Sequence, residues 1–188
     1  NMFYQKALQI DNSFIPAILG TGDCDFAFKK YEDALKKYER ILAIDGEHDR
    51  ASFESARVMG ALGNYDKSTE LWKKYIEKFP GIDSVKAYTN MSLDYILNKQ
   101  YTEAIAAAEE SLKIDPKWYT AYYRIGDAYE ESKEYQKAID ILEEHFINFE
   151  DYQKKWVLKI LIRCCEKLEN KEKKEEYEKR LKELRGDN

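Results

Sequence analysis

Residues 119–152 read YTAYYRIGDAYEESKEYQKAIDILEEHFINFEDY, and their spacing decides the fold. Ala121, Tyr122, Ile125, Gly126 and Tyr129 recur at helical intervals, so one helix gathers them on a single face. After Ser132 to Glu134 the pattern restarts, and Tyr135, Ala138, Ile139 and Leu142 mark one face of a second helix. Gly126 and Ala138 are small, which predicts that they face each other where the two helices of a tight hairpin cross.

The same hairpin pattern recurs along the chain. Tyr31, Tyr65, Tyr101 and Tyr135 stand 34, 36 and 34 residues apart. Ala17, Ala51, Ala87 and Ala121 keep step with them, as do Ala34, Ser68, Ala104 and Ala138. A period of this length marks a helical repeat array, in which each helix pair buries its apolar face only against its neighbours. The periodic Tyr, Trp and Ala residues are therefore expected in the core. Four repeats follow at residues 15–48, 49–82, 85–118 and 119–152 within a single array over 1–188. Residues 1–14 read as the second helix of a truncated repeat, and 153–188 as a degenerate capping pair.

Local chemistry places the helix breaks. They are expected near Ser13, Lys29 to Lys30, Gly46 to His48, Gly63, Pro80 to Asp83, Lys99, Pro116, Lys133, Phe149 to Asp151 and Asn170. Proline lacks an N–H and disfavours helix at the residue before it, so Asp115-Pro116 separates two repeats. Gly20, Gly22, Asp23 and Asp25 are poor helix formers, which predicts that the first helix of the 15–48 repeat is the weakest. Helix 171–184 is mostly Lys and Glu, with Tyr177, Leu181 and Leu184 as its narrow apolar edge, the composition of a solvated cap. Tyr4 to Ile10 is expected to pack on Ala17 to Phe28 with one flank open, leaving Tyr4 and Leu8 partly exposed.

Composition narrows the function classes. The net charge of −5 argues against a dedicated nucleic-acid binder, which needs a basic face. No run of about 18 apolar residues spans a membrane. Three cysteines, two of them adjacent, do not make a disulfide framework, so a reducing, cytoplasmic setting is expected. The truncated first repeat leaves room for an upstream targeting segment. Cys164 and Cys165 project about 100° apart on a helix, one expected toward the core and one toward the surface. His48 and His145 lack a ligand cluster at metal spacing, and no Gly-rich phosphate loop or catalytic triad stands out. Neither a cofactor nor an enzyme activity is expected.

Tyr122, Ile125, Gly126, Tyr129, Tyr135 and Ala138 in the best copy resemble the tetratricopeptide repeat. So do Tyr88, Tyr95, Tyr101, Ala104 and Pro116, then Ala56, Gly63, Tyr65, Trp72 and Pro80, then Gly22, Tyr31, Ala34 and Tyr38. The resemblance covers nearly the whole chain. Asp25 replaces an aromatic of the family pattern, His145 a small residue and Glu150 the proline. The resemblance implies an all-α, right-handed superhelical solenoid of antiparallel helix pairs whose first helices line a concave groove. It implies a non-catalytic scaffold or adaptor that holds a peptide or protein segment.

In that register the candidate groove residues are Phe53, Arg57, Lys86, Asn90, Tyr123, Arg124, Asp127 and Lys159, with Arg50, Trp156 and Arg163 on the same faces. Some family members hold a terminal carboxylate with a Lys/Asn/Asn/Lys/Arg set. Aligned here, those positions carry Phe53, Arg57, Asn90, Thr120 and Arg124, of which Asn90 and Arg124 match. An acidic group on the partner would suit the arginines. Glu54 and Asp127 lie close enough in sequence to neutralise them. Phe53, Tyr123 and Trp156 are candidate aromatic anchors, or else packing residues against a neighbouring helix. Two other readings remain open: a docking module of a larger enzyme or receptor, and self-assembly through the N-terminal end.

Overall fold

A computed structural model describes residues 2–186. Eleven α-helices order them: α1 (Met2–Ile10), α2 (Ile15–Ala27), α3 (Tyr31–Ile44), α4 (Asp49–Ala61), α5 (Tyr65–Lys78), α6 (Val85–Leu97), α7 (Tyr101–Ile114), α8 (Tyr119–Glu131), α9 (Tyr135–His145), α10 (Asp151–Lys167) and α11 (Lys171–Arg185). The expected breaks fall between helices, except that Asp151 already opens α10. Two of the longer connections hold a 3-10 turn, Gly81–Ser84 and Phe146–Asn148. No strand occurs among the described residues.

A backbone feature closes the hairpins. Lys29, Gly63, Lys99, Lys133 and Glu169 all have positive φ, between 56° and 78°. Each sits between the first and second helix of a pair, where one left-handed residue lets the chain reverse and caps the outgoing helix. Glycine adopts this conformation without strain, and only Gly63 uses it; the other four positions carry a side chain at some cost.

The contacts form two compact units, Asn1–Asp94 and Tyr95–Asn188. In the first, α2 pairs with α3 and α4 with α5, while α1 lies on α2. Ile18, Ala34, Tyr38, Ile41, Ala51 and Val58 make its core between α2, α3 and α4. In the second, α8 pairs with α9 and α10 with α11. Its core runs from Ala138, Ile139 and Leu142 through Val157, Leu158 and Leu161 to Tyr177 and Leu181.

Both alanine series are core residues, each essentially without solvent exposure. The tyrosine series differs: Tyr31, Tyr65, Tyr101 and Tyr135 open the second helices and are only half-buried. At Gly126 the nearest side chain is Leu142. An added Cβ would lie 2.5 Å from Leu142 Cγ. Leu142 stands one helical turn beyond Ala138 on the same stripe, and its larger side chain fills the space a glycine leaves.

The glycines of α2 answer the expected weakness of that helix. Gly20 lies under the ring of Tyr4, where a Cβ would approach to 2.4 Å, and Gly22 lies under Tyr38 at 2.8 Å. They give up helix propensity for close aromatic packing, and α2 is formed over its full length. The cysteine expectation is corrected: Cys164 and Cys165 are both buried, because α10 is covered by α9 on one side and α11 on another. Burial pushes the Cys164 thiol up to about 12 and raises that of Cys165, so neither is a ready nucleophile.

Candidate functional site

In the second unit the first helices α8 and α10 touch. Polar bonds tie them at both ends. Near their starts, Gln153 Nε2 donates to Thr120 Oγ1 at 3.3 Å. Near their ends, Arg163 grips Glu130 with both guanidinium edges, Nε to Oε1 and Nη2 to Oε2, the latter at 2.6 Å. This planar fork matches carboxylate geometry, and Glu130 is largely buried beneath it. Gln153 also completes a capping box with Glu150, so the glutamate that replaces the family proline starts α10 in its own way.

Aromatic surface lies between the two ties. The Tyr123 and Trp156 rings are 6.2 Å apart, and Trp156 meets Tyr152 edge-on at 5.3 Å. Trp156 remains 48% exposed and Tyr152 53%. Tyr152 and Trp156 are one helical turn apart on α10, so the helix itself presents them as a pair. The Arg124 guanidinium lies 5.3 Å from the Tyr123 ring centre, and its Nη1 is 3.7 Å from Asp127 Oδ2. Burial pushes the Asp127 carboxyl above its ordinary range, against the pull of Arg124. Burial likewise raises the Tyr123 hydroxyl, so that tyrosine stays neutral. Lys159 is exposed on α10.

The corresponding face of the first unit is committed to internal contacts. Arg50 Nη2 bonds Asp23 Oδ2 at 2.6 Å, and Asp23 also accepts the Tyr38 hydroxyl at 2.9 Å. Arg57 pairs with Glu54 at 2.6 Å and lies over the Phe26 ring, 4.0 Å from its centre. Glu54 is nearly buried, and desolvation raises its carboxyl despite Arg57. Lys37 bonds Asp25, which gives the residue in the place of the family aromatic a partner on the next helix. Phe53 is half-buried. It packs edge-on against Trp72 at 4.8 Å and Tyr75 at 5.3 Å, inside its own hairpin. On α6, Lys86 is exposed, and Asn90 folds back to bond the Lys86 carbonyl at 2.9 Å.

Of the expected groove residues, Tyr123, Arg124 and Asp127 come together on α8 beside Trp156. Phe53 and Arg57 on α4 are drawn into packing and an ion pair. Two features escaped the sequence reading. Tyr152 closes the 119–152 repeat in the sequence pattern, although its spacing of four from Trp156 marks a shared stripe. Asp94 is a buried carboxylate that accepts Ser68 Oγ at 2.5 Å and Trp72 Nε1 at 2.9 Å. Among the described residues no cluster of three or more His, Cys, Asp or Glu is disposed to hold a metal ion. No helix among them is long and apolar enough to cross a membrane.

Residues 95–151 match a tetratricopeptide-repeat family model, and residues 50–81 match a second. The chain belongs to the tetratricopeptide-repeat family. Human protein O-mannosyl-transferase TMTC3 is 28% identical over 160 residues, which cover 83% of this chain and 17% of that protein. The Hsp70-Hsp90 organising protein of Plasmodium falciparum is 33% identical over 92 residues, or 46% of this chain and 16% of that one. The chain thus spans about a sixth of the length of these relatives. The solved structure of Pseudomonas aeruginosa PilF superposes with a TM-score of 0.75 at 19% identity, covering 96% of this chain and 81% of that one. At this identity the likeness is one of fold: an all-α tetratricopeptide-repeat solenoid.

Proposed function

We propose that the chain is a non-catalytic interaction scaffold that docks a protein or peptide segment on the first-helix face of α8 and α10. One observation carries the reading. Trp156 and Tyr152 form an aromatic shelf that stays about half open to solvent, with partly buried Tyr123 beside Trp156, while the charges around it, Glu130 with Arg163 and Arg124 with Asp127, are paired. Half-exposed tryptophan and tyrosine on a rigid scaffold are common anchors, because they bury much apolar area for little lost rotamer freedom. Exposed Lys159 supplies a positive group that an acidic residue of the segment would meet. The family and the likeness to the Hsp70-Hsp90 organising protein favour a protein partner.

Capture of partners from lysate by the wild-type chain and by a Tyr123→Ala/Trp156→Ala variant tests the reading. A partner held by the first and lost by the second, at equal melting temperature, is the expected result. Equal capture would move the site elsewhere.

The 28% match to a stretch of TMTC3 favours a second reading, a docking module within a larger protein. The reading frame around the coding sequence of this chain separates the two. An adjoining catalytic domain would select the second.

A further inference from the structure

Helix α4 lacks two bulky side chains that the later first helices carry. Ser52 and Ser55 stand 36 residues before Tyr88 and Met91 of α6, and 70 before Tyr122 and Ile125 of α8. Ile125 is nearly buried among Ile105, Leu112 and Ile141, which closes the space between α7, α8 and α9. Between α3, α4 and α5 the corresponding space stays open as a cavity of about 230 Å³.

Its walls are apolar and fixed. Leu42 comes from α3, and Leu71, Tyr75 and Phe79 from α5 and its end. The Tyr75 hydroxyl donates to Asp49 Oδ1 at 2.6 Å, and its ring centre lies 4.9 Å from that of Phe79. Ser55 also lines the cavity. It is 4% exposed, and its hydroxyl has no partner among the described residues. Buried hydroxyls normally find one. Thr21, at the equivalent place on α2, bonds the Ile18 carbonyl at 2.8 Å. Exposed Lys74 and Lys78, one turn apart on α5, stand at the mouth. They pair with Glu70 at 2.6 Å and Glu47 at 3.2 Å. Both glutamates are exposed, so a ligand carboxylate can take their place at little cost.

We propose that this cavity binds a small phenolic acid, an aromatic ring with a hydroxyl at one end and a short carboxylate tail at the other. The ring lies among Leu42, Leu71, Tyr75 and Phe79, the hydroxyl bonds Ser55, and the carboxylate meets Lys74 and Lys78. Volume sets the size. An apolar cavity of about 150 Å³ takes a benzene ring, and the remaining space holds a tail of about two or three carbons. The aromatic walls favour a ring over an aliphatic body. The Ser55 hydroxyl turns about a single bond and can donate or accept.

Titration of the chain with para-hydroxyphenylpropionate, followed by NMR, tests this. The expected result is saturable shifts at the cavity residues, with a dissociation constant of about 1 mM or tighter. Phenylpropionate, without the hydroxyl, should bind at least about twofold more weakly. The neutral para-hydroxyphenylpropionamide should bind at least about threefold more weakly. Ser55→Ala should erase the first difference and Lys74→Gln/Lys78→Gln the second. Ser55→Ile, which supplies the side chain of α8, should abolish binding and raise the melting temperature, a gain that misfolding cannot imitate. Tyr123→Ala/Trp156→Ala should bind the acid as wild type does. No saturable shift up to about 10 mM, equal binding of the three compounds, or binding that survives Ser55→Ile would overturn the proposal.

Discussion

The faces of α4 and α8 carry the same positions with opposite outcomes. Glu54 and Arg57 on α4 recur seventy residues later as Arg124 and Asp127 on α8, with the signs exchanged. Both are ion pairs spaced three residues apart, and in both the carboxyl is raised by burial. Phe53 recurs as Tyr123. The difference comes from the second helix of each pair. α5 offers Trp72 and Tyr75, and Phe53 turns into the hairpin to meet them. α9 offers Leu142 and His145 at the matching positions. Leu142 fills the space at Gly126, and His145 stacks on Tyr122 with ring centres 3.5 Å apart. Tyr123 is left to the face it shares with Trp156. The side chains of a second helix thus decide what an aromatic on the first packs against, while Phe53 and Tyr123 are both half-buried.

Removing the deciding side chains should have the largest effect. Trp72 is fully buried and donates to Asp94, so Trp72→Ala should cost about 3–5 kcal/mol, measured by urea denaturation. Leu142→Ala should cost about 2–5 kcal/mol. A loss below about 1 kcal/mol for Trp72→Ala would break the claim that α5 holds Phe53.

The contact between successive first helices sharpens the comparison. Gly60 and Glu130 are equivalent positions. A Cβ on Gly60 would come within 2.4 Å of Asp94 Oδ1, and that carboxylate is fixed by Ser68 and Trp72. Gly60→Ala should therefore cost about 1–3 kcal/mol. Glu130→Ala should cost less, about 1 kcal/mol or under, because the Arg163 side chain is 53% exposed and returns to water. Thermal melts of the two variants check the order, and a reversed order would contradict the packing described.

The smallest expected effect is on pH dependence. The Glu54 carboxyl is raised in the folded chain, so folding favours its protonated form. That contribution is complete below the ordinary glutamate range and is lost as pH rises through the folded value. Glu54→Gln should remove this part of the slope. A denaturation series in acid that shows the same slope for both proteins would count against the burial of Glu54.

Much of the fold was legible in the sequence because periodic small and aromatic residues report helix packing directly. Ala121 and Ala138 read as core and are core. The face was less legible. Phe53 and Tyr123 occupy one repeat position, and only the identity of residues 72, 75, 142 and 145 on other helices separates their fates. One of Cys164 and Cys165 was expected at the surface because a single helix has an outward side, yet α9 and α11 cover α10 so that both are buried. Asp94 carried no local signal, since its partners lie 26 and 22 residues earlier.

The most direct test is the affinity of the captured partner segment for Trp156→Ala and Phe53→Ala, measured by titration calorimetry alongside thermal melts. Trp156→Ala should weaken binding at least about tenfold with an unchanged melting temperature, and Phe53→Ala should lower the melting temperature while the folded protein binds as before. If Trp156→Ala binds as tightly as wild type, or if Phe53→Ala alone loses the partner, the face of α8 and α10 is not the docking surface.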